Sequence, residues 1–171
     1  PKAVIGGLAL SAWNHARYTR DADVLVAIMP EQIAELVAAV VNAGFQPRHE
    51  PPLRMIDGQG ILQFTFQPAD ALMPFQFDVL LATTPFQQEA LARAVPRRLP
   101  NSDGHVAVVR PDDLVVIKLL AGRIIDRAMI LRENRSDIDF ERLQRVILAQ
   151  GLMDDIAQSG QTPTQANLAI A

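Results

Sequence analysis

Three carboxylates stand where acidic groups are chemically conspicuous. Asp21 and Asp23 are two positions apart at the start of a β-branched run, and Asp78 lies inside the apolar stretch Phe75-Gln76-Phe77-Asp78-Val79-Leu80-Leu81. Residues i and i+2 of a strand point to one face, so Asp21 and Asp23 can reach the same ion. A carboxylate within so apolar a run has to be paired, hydrogen-bonded or metal-bound, because burying it alone is costly. If the strand of Asp78 lies beside that of Asp23, all three groups can converge. A cluster of hard oxygen donors of that kind suits two magnesium ions about 3.5–4 Å apart. One ion would activate an attacking hydroxyl, and the other would bind a triphosphate and stabilise the departing pyrophosphate. The plainer readings are a solvated strand start for Asp21 and Asp23 and an edge strand facing water for Asp78.

Upstream, Gly6-Gly7 precedes a helical stretch by one residue. Glycine lets the backbone approach a phosphate closely, and a helix N-terminus offers unpaired N–H groups. A tight turn without a ligand is the alternative. Ser11, one turn further, can face the same phosphates, and Arg17 and Thr19 can contact phosphate or the local carboxylates. His15, His49 and His105 lack ligand spacing and read as surface or turn residues. Trp13 and Tyr18 read as packing residues. The arginines between 123 and 145 read as a solvated face, with a tRNA-binding groove as the alternative.

The elements that must position these residues follow from periodicity. Residues 3–5 form a short apolar run, 8–14 look helical, and 23–28 read as a strand. Residues 31–42 carry apolar side chains at helical spacing, with Gly44 as the stop. Residues 53–56 and 61–66 form a hairpin around 57–60. Residues 75–81 are a third strand, 85–94 a short helix begun by Pro85, and 106–109 another strand. A long helix is expected over about 111–131, opened by Pro111 with Asp112 and Asp113 at its positive end. A second runs over 139–150 and stops at Gly151. Strands, helices and a hairpin in this order predict an α+β fold with a mixed sheet flanked by helices.

The order Gly6-Gly7, short helix, Arg17-x-Thr19-x-Asp21-x-Asp23, then a lone Asp78 in a later strand resembles the DNA polymerase β-like nucleotidyltransferase superfamily. The chain looks closest to a small bacterial branch that includes AbiEii-type toxins. That branch carries a helix similar to Pro111-Asp112-Asp113-Leu114, Lys118-Leu119-Leu120-Ala121-Gly122-Arg123 and Asp126. The resemblance covers about residues 3–130. It implies a nucleotidyltransferase-like mixed β-sheet with C-terminal helices, and magnesium-dependent transfer of a nucleoside monophosphate from an NTP to an acceptor hydroxyl. It also places Lys118 near the active-site cleft. Relatives often carry a further Asp where this chain has Met129, and residues 130–140 depart from the pattern. Arg123 and Asp126 can equally form a helix-surface ion pair, and Lys118 can be a snorkelling lysine.

Bulk properties bound the rest. A chain of 171 residues with 49% hydrophobic and 20% charged content is sized for one domain. We expect residues 1–110 to form the catalytic core, 111–158 a C-terminal helical part of the same domain, and 159–171 a flexible tail. The opening residues read like the middle of a fold, as if a segment preceded them. The absence of cysteine excludes disulfides, thiolate metal sites and a cysteine nucleophile, and fits a cytoplasmic protein. A net charge of −3 argues against a non-specific nucleic-acid binder. No run is long and apolar enough for a membrane span, and neither a P-loop nor Gly-x-Ser-x-Gly occurs. The expected ligands are two Mg2+ ions and an NTP. The expected acceptor is tRNA, a protein or a small molecule, and a cognate antitoxin is an expected partner. The alternative is a nucleotide-binding regulatory or toxin–antitoxin module with little turnover.

Overall fold

The computed structural model describes residues 1–13, 19–69, 71–99, 102–121 and 134–152. Strand β1 (Lys2–Ile5) runs directly into helix α1 (Gly6–Ala12), so the two glycines open the helix rather than precede it. Strand β2 (Asp21–Val26) begins at the first aspartate, two residues earlier than its β-branched content suggests. A 3-10 turn at Pro30–Gln32 leads into α2 (Ile33–Asn42), which ends before Gly44 at φ +94.

Strand β3 (Gln46–Pro47) is followed by the hairpin β4 (Leu53–Ile56) and β5 (Gln59–Phe66). The hairpin turn is two residues, Asp57 and Gly58, both at positive φ. That backbone matches the twist of the strands it joins. Strand β6 (Phe75–Leu81) spans its expected residues. Helix α3 (Pro85–Ala92) starts in a capping box, the Thr84 hydroxyl accepting from the Gln87 N–H. Strands β7 (Val95–Arg98) and β8 (His105–Val108), helix α4 (Pro111–Leu120), a 3-10 turn at Arg135–Asp137 and α5 (Phe140–Ala149) complete the described chain. Helix α5 is capped by Asp139, whose carboxylate accepts from the Arg142 N–H. The helix expected over about 111–131 is shorter than that: α4 ends at Leu120, with Ala121 in a turn, and residues 122–131 lie outside the described residues, as does the tail.

The strands form one mixed sheet in the order β3-β5-β6-β2-β1-β8-β7, with β4 also paired to β5. Strand β2 is parallel to β6 and antiparallel to β1; β5 is antiparallel to β6. Both sheet faces are covered. Leu25 joins Leu10, Phe86, Leu114, Leu143 and Ile147 in a core beneath α1, α3, α4 and α5. Val26, Leu62, Phe64 and Val79 pack with Ile33, Leu36 and Val40 of α2 on the other side. Strands β7 and β3 escaped the sequence reading because Val95-Pro-Arg-Arg and Gln46-Pro have no apolar alternation; their partners impose the extended form.

Where α3, α4 and α5 meet, charge replaces apolar contact. Asp112 and Asp113 are fully buried at the start of α4. Arg93 bonds Asp112 at 2.6 Å, and Arg142 bonds Asp113 at 2.6 Å, Asp112 at 3.2 Å and Glu89 at 3.0 Å. Arg142 is only 8% exposed, which corrects its assignment to a solvated arginine face; Arg145, on the same helix, is exposed. Burial, then the charge of Asp112, raises the Asp113 carboxyl above its ordinary 3.8, against the pull of Arg142 and Arg93. Burial works against the charged form of Arg142, but the charge and hydrogen bond of Asp113, with Glu89, outweigh it and raise its pKa.

Candidate metal and nucleotide site

Register decides which polar groups meet. Ile5 of β1 pairs with Asp23 of β2, Asp23 with Asp78 of β6, and Asp78 with Gln63 of β5. One step outward Asp21 pairs with Gln76, and one step inward Leu25 pairs with Leu80. The same sheet face therefore changes from apolar core to polar site between adjacent same-face positions. Strand β6 is internal, which removes the edge-strand reading of Asp78. Parallel neighbours stand about 4.8 Å apart, and i to i+2 spans roughly 7 Å. All three carboxylates thus occupy one small patch.

Their side chains lean on different neighbours. Gly6, at φ +65, lies so close to Asp23 that a methyl group there would overlap the Asp23 carboxylate. A Cβ at Gly7 would stand 2.9 Å from Thr19. Both glycines are thus required by the close packing of α1 on the start of β2. Asp78, half-buried, turns the other way: its Oδ2 accepts from Gln63 Nε2 at 3.0 Å. Asp21 is exposed. In this conformation no group of three or more histidine, aspartate or glutamate side chains among the described residues is gathered as a metal cage. Strand position brings the acids together, while the Asp23 carboxylate lies against Gly6 and that of Asp78 against Gln63.

The donor set nonetheless fits a hard cation. Asp78 Oδ1 is buried with no hydrogen-bond partner among the described residues. An acceptor left so costs roughly 1–3 kcal/mol, which a cation beside it would offset. Each of the three acids offers carboxylate oxygen, the ligand type magnesium prefers.

Other expected site residues have more local roles. Thr19 Oγ1 accepts from the Asp21 N–H at 3.2 Å and so shapes the start of β2. Ser11 Oγ donates to the Gly7 carbonyl at 3.2 Å within α1. Lys118 is 4% exposed on α4 and is not among the residues lining the cleft beside Asp21. Arg17, Tyr18, His15, Arg123 and Asp126 lie outside the described residues. Trp13 is a packing residue, 3% exposed, with its indole N–H donating to the Val109 carbonyl.

Sequence reasoning missed Gln63, which bonds Asp78, and read its neighbour His49 only as a surface or turn residue. His49 Nε2 and Gln63 Oε1 are 3.1 Å apart, and Arg48 donates to Gln76 Oε1 at 3.0 Å. The available signal was Gln63 itself, a polar residue between Leu62 and Phe64 that mirrors Asp78 between Phe77 and Val79. A cleft of about 350 Å3 at the strand ends is lined by Thr19, Arg20, Asp21 and Gln76 together with Phe45 and Phe77.

No helix among the described residues is long and apolar enough to cross a membrane. No curated protein matches the chain. Among solved structures, an antigenic nucleotidyltransferase-like protein from Paracoccidioides brasiliensis aligns over 89% of this chain and 84% of its own, with a TM-score of 0.50 and 16% identity. At that identity the likeness speaks for the fold, a nucleotidyltransferase-like mixed sheet flanked by helices. The sequence itself matches a family described as "Nucleotidyltransferase of unknown function (DUF6036)" over residues 2–166, and the chain belongs to that family.

Proposed function

We propose that the chain is a magnesium-dependent nucleotidyltransferase that moves a nucleoside monophosphate from an NTP to an acceptor hydroxyl on tRNA, a protein or a small molecule. The observation that carries this reading is the in-register pair Asp23–Asp78 on parallel neighbours β2 and β6, with one Asp78 oxygen buried and without a hydrogen-bond partner among the described residues. In this reading Asp21, Asp23 and Asp78 are the residues that would hold two magnesium ions. Bound magnesium supplies positive charge that acidifies the acceptor hydroxyl and neutralises the departing pyrophosphate. Asp78, fixed through one oxygen, keeps the other for the ion and for the acceptor proton. The acceptor oxygen bonds to the α-phosphorus as the bond from that phosphorus to the β-phosphate oxygen breaks. Gly6, Gly7 and Ser11 face the β- and γ-phosphates, and Arg17, Thr19 and Lys118 serve the nucleotide. Of these, Thr19 acts through the strand start it shapes, and Lys118 from within α4.

A second reading, a nucleotide-binding regulatory or toxin–antitoxin module paired with an antitoxin, rests on the same site. The absence of a gathered group of three acids among the described residues favours it, because carboxylates so spread can bind a nucleotide without turning it over. Incubation with each α-labelled NTP, magnesium and bulk tRNA, protein or small hydroxyl compounds separates the two. Transfer of label, abolished by Asp23→Ala, supports the enzyme. Magnesium-dependent NTP binding in calorimetry without transfer to any acceptor class supports the module. Absence of binding refutes both.

A further inference from the structure

We propose that Gln63 and His49 are positioning residues for Asp78, forming a two-bond relay that fixes one carboxylate oxygen and leaves the other directed to a divalent cation. The proposal deepens the reading above, since Asp78 is a metal ligand only within it. The relay crosses three adjacent parts of the sheet. His49 is half-buried in the bend that follows β3, Gln63 sits on β5, and Asp78 lies opposite Gln63 on β6. The backbone holds the level: the Arg48 N–H donates to the Gln63 carbonyl at 2.9 Å, extending the β3–β5 ladder by one bond.

Chemistry fixes the direction of every hydrogen in the chain. An ionised carboxylate only accepts, so the Gln63 –NH2 must face Asp78 Oδ2, at 3.0 Å. Its carbonyl oxygen must then face His49, at 3.1 Å, which requires the proton on His49 Nε2. The flipped amide would set its oxygen against the Asp78 carboxylate, two acceptors without a donor. The relay thus selects one amide orientation and a proton on His49 Nε2, and the amide orientation holds Asp78 Oδ2 in place. The atom without a hydrogen-bond partner among the described residues is Oδ1 of that same carboxylate, the oxygen the relay does not use. An outer hydrogen bond of this kind orients a metal ligand, and its loss commonly weakens metal affinity 10–100-fold.

The rival is a polar ladder that merely decorates the sheet, as the Arg48–Gln76 contact at 3.0 Å does one step away. Mn2+ titration by EPR on the whole chain, with thermal melting and 15N NMR of the side-chain amides, distinguishes them. We expect Gln63→Ala and the near-isosteric Gln63→Leu to weaken Mn2+ binding about 10–100-fold without a matching loss of melting temperature. We expect His49→Ala to weaken it less, and the Gln63 amide resonances to move in both His49→Ala and Asp78→Asn. Wild type that binds Mn2+ while both Gln63 variants keep full affinity overturns the relay alone. Amide resonances indifferent to Asp78→Asn do the same. Wild type that binds no Mn2+ overturns the metal reading and, with it, the role given to Gln63.

Discussion

Gly6 answers to two constraints at one atom. Its φ of +65 lies in the left-handed region, and its missing side chain leaves room for the Asp23 carboxylate. A left-handed conformation costs a non-glycine residue roughly 1–3 kcal/mol, and overlap with a carboxylate adds to that. Gly6→Ala should therefore destabilise the chain by about 2 kcal/mol or more and displace Asp23 as well. Urea denaturation with Mn2+ titration on the same sample checks this, and a variant that loses neither stability nor ion binding would show that α1 shifts to make room. Thr19 behaves similarly at Gly7, so the glycine pair is explained by how closely α1 approaches β2. Gln63 illustrates the reverse difficulty: a glutamine in a strand carries no chemical signature until its neighbour across the ladder is known to be Asp78.

Between elements, the ion cluster of Arg93, Arg142, Asp112, Asp113 and Glu89 ties α3, α4 and α5 together. Sequence places Asp112 and Asp113 correctly at the helix start but assigns them only to its dipole, because Arg93 and Arg142 are distant in the chain. The raised Asp113 carboxyl makes the folded state the stronger proton binder at that position. Its contribution to stability is then fully present below the ordinary 3.8 and declines as pH rises through the folded value. Asparagine does not titrate. The unfolding free energy of Asp113→Asn minus that of wild type should therefore become more positive as pH rises above 3.8, whatever the fixed cost of the substitution. Denaturation series from acidic to neutral pH measure the slope; a flat or falling difference would contradict the burial argument.

For the whole molecule the relevant quantity is how binding couples to folding. If magnesium and an NTP bind the folded chain alone, a free NTP concentration about 100-fold above Kd stabilises it by about 2.7 kcal/mol. In a chain of this size that is a rise of roughly 5–10 °C in Tm. Magnesium and NTP together should produce this rise, and NTP alone should not. Asp78→Asn retains an acceptor for Gln63, so it should melt within about 4 °C of wild type without ligand yet show no ligand-induced rise. Differential scanning fluorimetry reads both. A full ligand shift in Asp78→Asn would remove Asp78 from the binding site.

The sequence by itself determined most of the local facts: the strand and helix runs other than β3 and β7, the helix starts at Pro85 and near Asp139, the stops at Gly44 and Gly151, and that Asp21 and Asp23 share a face. These depend on neighbours within a few positions, where periodicity, capping and turn chemistry act. It also marked Asp78 as a carboxylate in need of a partner. Only the tertiary structure decided that Asp78 stands level with Asp23, that Gln63 and His49 back it, that Gly6 is shaped to Asp23, and that Arg142 is buried against Asp112 and Asp113. Strand pairing sets those outcomes across tens of residues, and a one-residue slip of register would turn every one of the site's strand side chains to the opposite face.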